Sequence, residues 1–230
     1  SPYAYCAGDP VNIVDPTGMY LFSVDSQNGN IVKLGEEDEF DEIEIKGKEN
    51  RIRVEHVNGK SILSGIEGVG EGTTTSVSSS SSQLLDAFFF LADNTEIEWS
   101  IQIGIGENQK DCFVLGTSRL EGKVESAEIA KANKMEKNLW FRMHSHPDEM
   151  DGTAGGSTGD LATFQTAHAI NPKVPLHFVY HNGIVHLYNK RRSSFSGWER
   201  KKAAFDLKQY WQWYDKQLNL GGKNVPYYSM

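Results

Sequence analysis

The stretch Trp140–Ala169, WFRMHSHPDEMDGTAGGSTGDLATFQTAHA, decides how the rest of the chain is read. It opens with an apolar run suited to a buried strand, and that run ends in His144-Ser145-His146-Pro147. Side chains two apart on a strand share a face, so the imidazoles of His144 and His146 are expected to converge. A Gly-rich loop follows, and Ser157-Thr158-Gly159-Asp160 opens a segment with helical spacing. Two histidines at a strand end and a carboxylate at the next helix start are three of the groups a catalytic zinc (Zn2+) needs, with a fourth position left for water. Ser157 followed three residues later by an acid is also a capping box. The two roles are compatible, because a capped helix start would hold Asp160 still. The plain alternative for the histidines is a pair of surface side chains at a strand end.

Hydrolysis at such a centre needs a general base, and the alternating segment Thr95–Gly104 is where it is expected. Glu96 and Glu98 are two apart, so on a strand both would face the same side. Glu98, beside Trp99, is the favoured base, and Glu96 reads as a solvated acid at the strand end. Glu107, Asp148, Glu149 and Asp151 read as solvated loop acids. His56, His168, His177, His181 and His186 take the default reading of structural or exposed histidines. Other hydrolytic and nucleotide motifs are missing. There is no His-Glu-x-x-His helix, no Pro-Cys-x-x-Cys after a His-x-Glu, and no complete phosphate-cradling loop around Gly59-Lys60-Ser61.

The pattern His144-Ser145-His146-Pro147 followed by Ser157-Thr158-Gly159-Asp160 resembles the JAB/JAMM metalloproteases, whose best-known members are zinc isopeptidases that remove ubiquitin. The resemblance implies that His144, His146 and Asp160 hold zinc, that Glu98 acts on the attacking water, and that Ser157 steadies the tetrahedral intermediate. It also implies a JAB/MPN-like (deaminase-like) α/β fold, a mixed β-sheet flanked by helices. The loop Pro147–Gly156 is longer than the usual family spacing, and Gly152, Gly155 and Gly156 would let it bulge. The complete set of Glu, His, His, Ser and Asp favours an enzyme over the alternative, an inactive JAB-like module that binds a protein partner.

A second resemblance lies at the N-terminus. Tyr3–Gly18, YAYCAGDPVNIVDPTG, resembles the motif that closes the RHS-repeat-associated core of bacterial polymorphic toxins. It implies a toxin domain at the tip of a secreted RHS effector, delivered into a target cell by a bacterial secretion system, with release near Gly18 or Met19. A cognate immunity protein and a protein or peptide substrate, ubiquitin-like among the options, follow as expected partners. The chain starts without Met and inside this motif, so it is expected to be a piece of a longer protein.

Composition narrows the alternatives. A formal net charge of −8 argues against non-specific nucleic-acid binding, which needs a basic face. The two cysteines, Cys6 and Cys112, give neither a disulfide framework nor a cysteine zinc cluster. No apolar run approaches membrane-spanning length.

Read in order, residues 1–19 are the RHS-like motif and 20–64 a region of short β-hairpins punctuated by Asn-Gly turns. Its run Lys60–Ser64 (KSILS) reads as one of the strands, and the acidic run Glu36–Glu44 as a solvated edge. Residues 65–82 are Gly/Ser/Thr-rich and expected to be a flexible linker and domain boundary. Residues 83–230 are the JAB/JAMM-like domain. Within it the pattern predicts a helix over Gln83–Asp93, strands over Thr95–Gly104, Lys110–Thr117 and Leu139–Ser145, and helices over Ser126–Glu136 and Ser157–Ile170. A hairpin, Pro175–Tyr180 with Ile184–Asn189, and a long amphipathic helix over Gly197–Leu218 complete it.

Overall fold

A computed structural model describes residues 20–34, 40–56, 59–70, 72–78, 82–105, 111–119, 124, 129–130, 132–135, 139–147, 176–181, 183–189 and 192–199. The N-terminal motif, Ser157, Asp160 and the expected helix Ser157–Ile170 lie outside them. The described residues form two mixed β-sheets and one long helix.

The first sheet has four strands in the order β2-β1-β3-β4. β1 (Tyr20–Val24) and β2 (Ile31–Leu34) form an antiparallel hairpin, and β3 (Phe40–Ile45) runs parallel to β1 and antiparallel to β4 (Arg51–Glu55). The hairpin turn uses Asn28-Gly29 as expected. Gly29 has φ +67°, and a Cβ there would lie 2.0 Å from Ile97 Cδ1, so only glycine lets the turn seat on Ile97. The acidic run is not a solvated edge from Phe40 onward. β3 lies between β1 and β4, and its Asp41 is fully buried. The Asp41 carboxylate contacts His56 Nε2 at 2.9 Å and accepts the Ser61 hydroxyl at 2.5 Å. Alternation explains this: Asp41, Ile43 and Ile45 share the inward face, while Glu42 and Glu44 pair with Arg51 on the other. Residues 62–65 form a turn rather than the strand expected for Lys60–Ser64, and Ile62 and Leu63 enter the core.

The second sheet has seven strands in the order β11-β10-β9-β8-β6-β7-β5. These are β5 (Thr74–Ser78), β6 (Trp99–Ile105), β7 (Asp111–Thr117), β8 (Leu139–His146), β9 (Leu176–His181), β10 (Ile184–Asn189) and β11 (Arg192–Glu199). All neighbours are antiparallel except β8 and β9, which are parallel. Two expectations fail here. The Gly/Ser/Thr-rich stretch expected as a linker supplies β5, where Thr74, Thr75 and Val77 suit an extended backbone and pair with β7. The helix expected from Gly197 is a strand at its start, with Gly197, Trp198 and Glu199 opposite His186, Val185 and Ile184. The rest of that expected helix lies outside the described residues.

The helix α1 (Ser82–Asn94) extends the expected span by one residue at each end. It ends where the Asn94 side-chain amide donates to the Phe90 carbonyl. Leu84, Leu85, Phe88, Phe89 and Leu91 bury its apolar face in one cluster with Phe22 and Ile43 of the first sheet and Trp99, Phe141 and Tyr180 of the second. Tyr180 stacks edge-on against Phe88 and Phe89 and donates its hydroxyl to Asp93. Beyond α1, strand geometry begins only at Trp99. The Thr95 hydroxyl donates to the Leu91 carbonyl and accepts the Trp99 indole N–H, which turns the chain tightly off the helix. Glu96 is therefore exposed while Glu98 is buried, so the two acids do not share a face.

Ser145 ties β6 to β8. It points away from the two histidines that flank it, and its hydroxyl accepts the Trp99 backbone N–H at 2.9 Å. Replacing Ser145 by Ala leaves a buried donor unpaired, and urea unfolding should show a loss of about 2 kcal/mol. Asp41→Ala, which strips His56 and Ser61 of their shared acceptor, should cost about 3 kcal/mol in the same measurement. A midpoint unchanged in either variant would show that the bond contributes nothing to stability.

Candidate active site

The central strand β8 divides its side chains strictly. Phe141, Met143 and Ser145 face α1, and Arg142, His144 and His146 face the other way. Opposite them on β6 come Gln102 and Ser100, and on β9 come His177, Val179 and His181. Among the described residues the result is a largely polar, buried layer around β8 on this face.

At one end of that layer the expected histidines meet. His144 Nε2 and His146 Nε2 are 3.2 Å apart, a contact that pairs one N–H with one lone pair. Two nitrogens bound to a single tetrahedral zinc at about 2.0–2.1 Å would stand about 3.3–3.4 Å apart, so the pair already has the spacing of two such ligands. Glu98 Oε1 lies 3.8 Å from His146 Nε2. Its other oxygen, Oε2, accepts the Val124 backbone N–H at 2.8 Å, which fixes the carboxylate plane. All three residues are covered: Glu98 is 5%, His144 4% and His146 9% exposed. Of the two candidate acids, Glu98 is thus the one beside the histidines. Glu96 instead donates its backbone N–H to the Ser26 carbonyl.

Among the described residues no group of three or more His, Cys, Asp or Glu is arranged to hold a metal ion. The expected third ligand, Asp160, and the supporting Ser157 lie outside the described residues.

Three neighbours of the site were not singled out from sequence. Ser145 sets the register of β6 against β8. His181 Nδ1 contacts the His146 carbonyl oxygen at 3.3 Å and stands beside His146 across the parallel pair. His177, read as an ordinary histidine, packs its ring edge-on to His144 with centroids 5.5 Å apart. Strand alternation was the available signal, because it places Arg142 on the histidine face and Ser145 on the opposite one. Burial pushes the Arg142 guanidinium down to about 10, which leaves it charged at neutral pH.

No helix among the described residues is long and apolar enough to cross a membrane. No curated protein and no solved structure gives a significant match to the chain. Residues 76–165, the interval that contains Glu98, His144, His146, Ser157 and Asp160, match the family model described as JAB-like toxin 1, which supports a JAB-like toxin domain in this part of the chain.

Proposed function

We propose that this domain is a zinc-dependent amide hydrolase, a peptidase or isopeptidase, acting as the toxin of a secreted bacterial effector. The observation that carries the reading is the convergence of His144 Nε2 and His146 Nε2, with Glu98 Oε1 alongside. His144, His146 and Asp160 would hold the zinc. Support for Asp160 comes from the motif: parallel neighbours need a crossover of about a dozen residues or more, and Ser157 and Asp160 fall in the sequence between β8 and β9.

Bound zinc would supply a Lewis acid that acidifies the attacking water. Glu98 is the general base: its carboxylate, oriented through the Val124 amide, accepts the proton of the attacking water. It then returns that proton to the amine that leaves. Ser157 would donate a hydrogen bond to the developing oxyanion. The buried setting strengthens these charge interactions, because little solvent competes for them. The RHS-like motif at Tyr3–Gly18 supports delivery as the tip of an RHS protein, and a toxin of this kind would be held in check by a cognate immunity protein.

Metal analysis of the purified chain tests the centre. Near-stoichiometric zinc is expected in the wild type, with a sharp fall in His144→Ala and in Asp160→Ala. Absence of zinc after it has been supplied would sink the hydrolase reading and leave a JAB-like binding module. Glu98→Gln should retain zinc and lose about 100-fold or more in peptide cleavage. Undiminished cleavage by that variant would remove Glu98 from the mechanism.

A further inference from the structure

One buried cation in the polar layer has no role in the hydrolytic machinery. Arg142 is 5% exposed, on the same strand and face as His144. Its Nε has no hydrogen-bond partner among the described residues. A buried guanidinium without an anion is costly, so such a group is normally paired. Its row across the sheet is polar, with Gln102 on β6 to one side and His177 on β9 to the other. The row also adjoins the histidine pair directly, since the His177 ring contacts His144. Arg142 and Glu98 are equally covered, each 5% exposed.

We propose that Arg142, flanked by Gln102 and His177, is a carboxylate-binding subsite beside His144 and His146, and that the amide cleaved is the one next to a substrate's C-terminal carboxylate. The identity of the amide rests on the hydrolase reading above; the carboxylate site does not. Both side chains leave the same face of β8 two residues apart, so an anion held by Arg142 would lie near His144. A terminal carboxylate gives the guanidinium a charged partner at about 2.8 Å, whereas an internal peptide bond offers it no charge. The planar guanidinium fork also matches a planar carboxylate in two-point contact.

The test titrates the full chain with acetyl-alanine or acetyl-alaninamide by calorimetry, with and without zinc, and follows the Arg142 Nε–H signal by NMR in the wild type. Saturable binding of acetyl-alanine is expected, at least tenfold tighter than the amide, lost in Arg142→Met and weakened in Arg142→Lys. Equal binding of the two compounds by the wild type overturns the subsite, as does unchanged acetyl-alanine binding by a folded Arg142→Met protein. Peptides with a free or amidated C-terminus separate this proposal from the reading it builds on. If the zinc protein cleaves both equally, the subsite falls and the hydrolase stands. If acetyl-alanine binds Arg142 but no zinc is held, the subsite stands and the hydrolase falls.

Discussion

A strand paired on both edges and covered on both faces has nowhere to send a polar side chain except into the protein. β8 is such a strand, and it carries Arg142, His144 and His146 on one face against Phe141, Met143 and Ser145 on the other. Because the side-chain period is two, a slip of one residue would drive the histidines into the aromatic core and bring Met143 to the site. The bond from the Trp99 amide to Ser145 opposes that slip, and it does so at the residue next to Glu98. Register and site geometry are thus the same constraint.

The sheet and the helix cooperate to hold that register. α1 fills the space between the two sheets, so the first sheet acts as a cover for the back of the second. The tight turn at Thr95 then brings the chain from the helix end straight into β6. Glu98 owes its burial to this turn, because it sits between the last helical residues and the first paired residue, Trp99. One oxygen of its carboxylate is held by a backbone amide, that of Val124, which has no side-chain rotation to lose.

Much of this was legible in the residues. His-x-His at the end of an apolar run announced both a strand and a shared face, and apolar spacing defined α1 to within one residue at each end. Glu98 was chosen over Glu96 for its place beside Trp99, although the assumption that both acids face one side failed, since strand alternation does not extend back to Glu96. The Thr- and Ser-rich segment misled because its composition serves a linker or an edge strand equally well, and only the partner β7 decides. Asp41 misled in the same way: an acid in an acidic run reads as solvated until His56 and Ser61 arrive from elsewhere in the chain. Long-range pairing of this kind leaves no local mark. Arg142 does leave one, since its position two before His144 fixes its face.

Sequence separation implies that the site forms late in folding. Glu98 immediately precedes β6 and His146 ends β8, strands whose pairing joins residues 46 apart, as between Trp99 and Ser145, with β7 formed in between and β9 added after. Contacts across such sequence distances form slowly, because loop entropy must be overcome before they repay it. The local hairpins and α1 can appear first without producing any convergence of the histidines with the acid. A chain arrested at that stage contains every residue of the candidate site and none of its geometry, so the cluster of His144, His146 and Glu98 would come into being only with the closure of β8 onto β6.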